Sequence, residues 1–151
     1  MTGRALGPGV QSFDAVETGD HYATGDIELT ADLIDRFADL SGDRFEIHMD
    51  DAAARRYGFP GRVAHGLLVL SLVDGLKNQA EARFRAIASL GWTWSFRAPV
   101  FIGDRIGAAI TIADKRTTGK PDRGILTLEF DVTANGDRTV QSGTNLLMVY
   151  R

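Results

Sequence analysis

The stretch "SGDRFEIHMD", residues 41–50, sets a carboxylate, Asp43, and an imidazole, His48, five positions apart. An acid beside an imidazole that titrates near neutral pH is a pairing suited to moving protons to and from water. Regular structure does not bring the two together. At ~100° per residue, five positions leave them on different faces of a helix, and an odd spacing leaves them on opposite faces of a strand. They can converge only if the backbone turns between them. Taken singly, Asp43 reads as a turn residue, His48 as a half-buried loop histidine, and Asp50 and Asp51 as helix-start acids.

A third group comes from "GRVAHGLL", which brings Gly66 to the first turn of an unusually apolar helix. First-turn N–H groups have no partner inside the helix and sit at the positive end of its dipole. Such a position can hold an oxyanion, and a glycine there lets a carbonyl approach closely. Acid, imidazole and helix-mouth N–H together are the components for adding water beside a carbonyl. Metal binding is the competing chemistry for Asp43, His48, Asp50 and Asp51, but their spacing matches no metal motif, and no metal is expected. His65 reads as a substrate-binding residue, as a second catalytic imidazole or as a structural hydrogen-bonder at the helix mouth. Ser71 lacks the Gly-x-Ser-x-Gly surroundings of a serine hydrolase.

The elements that must position these groups follow from periodicity. Thr30 is an N-cap for a helix carrying Leu33, Ile34, Phe37 and Leu40 at helical spacing, and Ser41-Gly42 ends it. "DDAAARRYG" predicts a second short helix closed by Gly58. The longest helix is expected over about Gly66 to Phe84, apolar nearly all round in its first half, as befits an enclosed helix. Strands follow, with "NGD" marking a hairpin. In "ILTLEFDVTA", Leu126, Leu128, Phe130 and Val132 alternate against Thr127, Glu129, Asp131 and Thr133. The pattern describes one α+β domain over residues 1–151, an antiparallel sheet wrapped around one long helix, with residues 1–12 expected as a loose arm.

A net charge of −3 argues against a general nucleic-acid binder. The apolar run "LLVLSLV" is too short to span a bilayer, so no membrane partner is expected. With no cysteine there is no disulfide scaffold and no cysteine nucleophile, and the cytoplasm is the expected compartment.

The segment "FADLSGDRFEIHMDDAAARRYGFPGRVAHGLLVLSLVDGL" resembles the defining segment of MaoC-like dehydratases, the (R)-specific enoyl-CoA hydratases. "SFRAPVFIGDRI" is similar to that family's strand–turn segment. With the approach segment "TGDIELTADLIDRFADLSGD", the likeness covers roughly half the chain. The resemblance implies a hot-dog fold, dimers sharing a larger sheet, and acyl-CoA or acyl-carrier-protein thioesters as substrates with no further cofactor. It implies that Asp43 and His48 hold and activate water and that the Gly66 N–H holds the thioester oxygen. The reaction so implied is reversible hydration of a trans-2-enoyl thioester. The rivals are a thioesterase on the same fold and a non-catalytic acyl-thioester binder. Departures from the family pattern are Phe45 and Glu46, where Asn-Pro is frequent, and Asp74, where a small hydroxyl residue is more typical. Asp74 reads as a contact for a polar acyl group or as an ion-pair partner of Arg56, Arg62 or Lys77. Arg62 reads as a contact for a substrate carboxylate, as a surface residue, or as the partner of Asp74. Arg97 reads as a contact for CoA phosphates or as a surface residue.

Overall fold

The computed structural model describes residues 3–151. Its framework is a five-stranded antiparallel sheet in the order β2-β5-β6-β7-β4. The strands are β2 (His21–Glu28), β4 (Ala86–Phe96), β5 (Arg105–Thr117), β6 (Arg123–Ala134) and β7 (Arg138–Tyr150). The alternation in β6 is realised: Leu126, Leu128, Phe130 and Val132 are all buried, whereas Glu129 and Asp131 are exposed. The β6–β7 hairpin turns through Asn135 and Gly136, both with positive φ (58° and 76°). That is the backbone sense a tight hairpin needs, and Asn-Gly adopts it readily.

Against the inner face of the sheet lies α4 (Gly66–Gln79), burying Leu68, Val69 and Val73 in one apolar cluster with Ile110, Leu128 and Phe130. The helix is shorter than the sequence predicts. It stops at Gln79, and residues expected to continue it form β3 (Ala82–Phe84). Ala80 is already extended, and Ala82 is buried in the core cluster. Burial of that segment in extended form outweighs its local helical pattern.

The stretch expected as a loose arm is tied down instead. Met1 and Thr2 lie outside the described residues, but β1 (Gly9–Gln11) pairs in parallel with β3. Behind it, Phe13 is buried under the Lys115 side chain, whose Nζ donates to the Phe13 and Val16 carbonyls at 2.9 and 2.7 Å. Among the described residues no helix is long and apolar enough to cross a membrane.

Between β2 and α4 the chain forms α1 (Ala31–Ser41), α2 (Glu46–Met49) and α3 (Asp51–Arg56). The expected caps are present. The Thr30 side chain accepts from Leu33 N, and Gly42 closes α1 at φ 79°. The Asp50 side chain accepts from Ala53 N at the start of α3.

Candidate active site

A left-handed residue turns the chain just before Asp43, and a single helical turn then closes the five-residue gap to His48. Gly42 reverses the chain, residues 43–45 run free, and α2 then lifts His48 inward. Asp43 is held by its own loop. Its N–H donates to Ser41 Oγ at 3.1 Å, and its Oδ1 accepts from Phe45 N at 3.1 Å. It is exposed, whereas His48 is buried.

His48 is fixed through the main chain of a distant residue. Its Nδ1 lies 2.6 Å from the Val63 carbonyl, so Nδ1 carries the proton and Nε2 keeps its lone pair. Val63 N in turn donates to the Ile47 carbonyl at 3.0 Å, so both polar groups of Val63 engage consecutive residues of α2. Ala64 N donates to the Val100 carbonyl at 2.8 Å, pinning the same segment from its other side. Burial draws the His48 pKa below its ordinary value of 6.5. The bond to Val63 and the Asp43 charge oppose that shift, and His65 and Arg62 reinforce it.

His65 stands behind His48. The two rings stack with centroids 4.0 Å apart and planes 26° from parallel, and His65 Nε2 reaches the Asp43 carbonyl at 2.8 Å. Only 2% of His65 is accessible, so it stands behind the pair. Donor atoms of Asp43, His48 and His65 fall within 4.8 Å of one another. Imidazole lone pairs lie in the ring plane, and two stacked rings do not aim them at one ion.

Gly66 opens α4 directly after His65. A side chain there would collide with the Phe96 ring, to which a Cβ would come within 2.5 Å. The Gly66 carbonyl accepts from Gln141 Nε2 at 3.0 Å, and Gln141 Oε1 accepts from Trp94 Nε1 at 2.8 Å. A cleft of about 300 Å³ opens at this mouth, lined by Gly66, Val63, Phe59, Phe96, Arg97 and Gln141. Asp43 and His48 are not among its lining residues in the single chain.

The remaining candidates fall into place as follows. Arg62 is neither a free surface residue nor a partner of Asp74. Its Nε donates to the His48 carbonyl at 2.6 Å and its Nη2 meets Asp35 at 2.5 Å, so it braces the backbone of α2. Asp74 pairs with Lys77 at 2.9 Å, and Lys77 is buried beside Asn145. Arg56 pairs instead with Glu46 at 3.6 Å, and Tyr57 donates to the same carboxylate at 2.9 Å. Arg97 donates from Nε to Ser142 Oγ at 2.8 Å beside the cleft.

Val63 and Gln141 were not singled out in the sequence. A main-chain acceptor leaves no signature in residue type. Gln141 did leave one: it shares the inward phase of β7 with Leu147 and Val149, and a polar side chain on a core face must find partners.

Residues 14–134 match the MaoC like domain family. The (R)-specific enoyl-CoA hydratase of Aeromonas caviae is 33% identical over 107 residues, covering 71% of this chain and 76% of that protein. The mitochondrial 3-hydroxyacyl-[acyl-carrier-protein] dehydratase of Arabidopsis thaliana is 31% identical over 117 residues, covering 74% and 69%. Among solved structures, Rv0216 of Mycobacterium tuberculosis, described as a double hotdog fold, superimposes with a TM-score of 0.82 at 20% identity, covering 93% of this chain and 44% of that one. The helix against an antiparallel sheet is thus the hot-dog fold, and the chain belongs to the MaoC-like dehydratase family of hydro-lyases.

Proposed function

We propose that the protein catalyses reversible hydration of a trans-2-enoyl thioester, of CoA or of an acyl carrier protein, to an (R)-3-hydroxyacyl thioester. Two observations carry the reading: His48 keeps the lone pair of Nε2, and ligand atoms of Asp43, His48 and His65 lie within 4.8 Å of one another in the segment that leads into Gly66. The thioester oxygen takes the Gly66 N–H, which draws electron density from the conjugated double bond and leaves the β-carbon electrophilic. Water between Asp43 and His48 gives its proton to His48 Nε2 as its oxygen attacks the β-carbon. Enolate charge then develops at the helix mouth, where the N–H is already in place, and the pair returns the proton taken from water to the α-carbon, which restores neutral His48 and completes the addition. Asp43 and His48 work as a coupled pair in these transfers. The chemistry requires no metal or other cofactor.

A homodimer fits the same reading. β4 is an edge strand of 11 residues, and Leu90, Phe96 and the nearby helix residue Leu67 are exposed. A second copy on that edge would wall the space between the His48 pair and the Gly66 cleft. Arg97 beside the cleft suits the CoA phosphates. A chain without cysteine is at home in a reducing compartment such as the cytoplasm.

The test is spectrophotometric. Purified protein should bleach the enoyl absorbance of crotonyl-CoA with no release of free thiol. Thiol release would indicate a thioesterase, and unchanged absorbance across short, long and dicarboxylic enoyl-CoAs would remove the hydration reading.

A further inference from the structure

Asp43, His48 and Gly66 come from three separate pieces of local structure, and His65 touches or adjoins all of them. Its Nε2 faces the Asp43 carbonyl, an acceptor only, so Nε2 carries the ring proton. Among the described residues Nδ1 is buried and without a hydrogen-bond partner, which a structural histidine free to choose its neighbours would avoid. Its ring face lies against His48, its other surroundings include the Phe37 ring, tilted with centroids 4.9 Å apart, and its own peptide leads straight into Gly66 N. With that bond made, the Asp43 N–H, C=O and Oδ1 are all engaged, and Oδ2 is the atom left to meet a water.

We propose that His65 is the positioning residue of the site: one side chain sets the Asp43 backbone through its N–H and the His48 ring plane through its face, in fixed register with Gly66. The inference rests on the hydration reading for its kinetic consequences but not for its geometry. Misplacing a reacting group by a fraction of an ångström costs rate while leaving the bound thioester little affected.

Two measurements decide it. In wild-type protein carrying 15N-labelled histidine, ring nitrogen shifts should place the proton of His65 on Nε2 and that of His48 on Nδ1. A His65 ring protonated on Nδ1 instead has no donor for Asp43 and overturns the proposal. In kinetics, His65→Phe keeps a flat ring and removes the donor. It should lower kcat about 10- to 100-fold with KM within about twofold. His65→Gln, which returns an N–H near the same place, should recover at least severalfold of that loss. A His65→Phe enzyme with kcat within about twofold of wild type, or a His65→Gln enzyme no faster than His65→Phe, overturns it. If His65→Phe does not fold, the tautomer and the His65→Gln rate decide alone. If wild-type protein hydrates no enoyl thioester, the hydration reading falls, and the tautomer measurement still judges the bond.

Discussion

The two ends of α4 carry polar clusters of opposite character. At the C-terminal half, Lys77 is buried but surrounded: Asp74 at 2.9 Å, Asn145 Oδ1 at 3.4 Å, and Asn145 itself donating to Ser89 Oγ and the Gly91 carbonyl. At the N-terminal end, His48 keeps a free lone pair and His65 a buried nitrogen with no partner. A buried polar group left unmatched costs about 1–3 kcal/mol, so a fold keeps one where something else is gained. Asp74 Oδ1 meets Lys77 as an ion pair without an aligned hydrogen bond, so that cluster is closed by opposite charge, whereas the histidine cluster keeps uncharged lone pairs in reserve. The contrast separates stability from chemistry on a single helix.

The largest expected effect tests that division at the open end. His48→Ala should lower the hydration rate about 10³-fold, and Asp43→Asn by a comparable factor, with the protein still folded. A rate loss under tenfold for both would erase the distinction. At the closed end the signs reverse. Asp74→Ala strands the Lys77 charge in the core and should destabilise by about 1–3 kcal/mol, discounted because Asp74 is 40% exposed, while kcat stays near wild type. Denaturant titration beside a rate assay reads both.

A smaller effect is expected at Gly66→Ala. The new methyl meets the Phe96 ring, itself exposed and able to swing aside, so the cost should appear as about tenfold in kcat/KM with modest loss of stability. The smallest concerns pH. His48 titrates below its ordinary 6.5 in the folded protein because it is buried, so the unfolded chain binds the extra proton first. Its contribution to stability is full above pH 6.5 and is lost as pH falls through the folded value. The acid limb of kcat/KM should therefore lie below pH 6.5 and move up towards that value when His48 is less buried, as in Phe45→Ala, which removes the ring centred 6.1 Å from that of His48.

The sequence made the sheet legible because burial of alternate residues is a local rule, obeyed in β6 from Leu126 to Ala134. It made the caps at Thr30, Gly42 and Asp50 legible because each is a chemical preference for one backbone shape. It also placed Asp43, His48 and Gly66 as candidates by type and turn. What it could not convey was the join between residues 43–48 and 62–66, which is made by main-chain groups and by two stacked rings distant in sequence. The end of α4 was misread for a related reason. A helical pattern through Phe84 says nothing of the β1 strand waiting to pair with residues 82–84.

Val63 holds the His48 proton with its carbonyl and secures itself with its N–H. Both are features every residue but proline possesses. The identity of the side chain at that position can therefore drift among apolar types with the tautomer of the imidazole preserved. A proline alone would cut the tie to Ile47 and let the acceptor swing away. The most dependable component of this centre is thus one that a comparison of residue types would overlook.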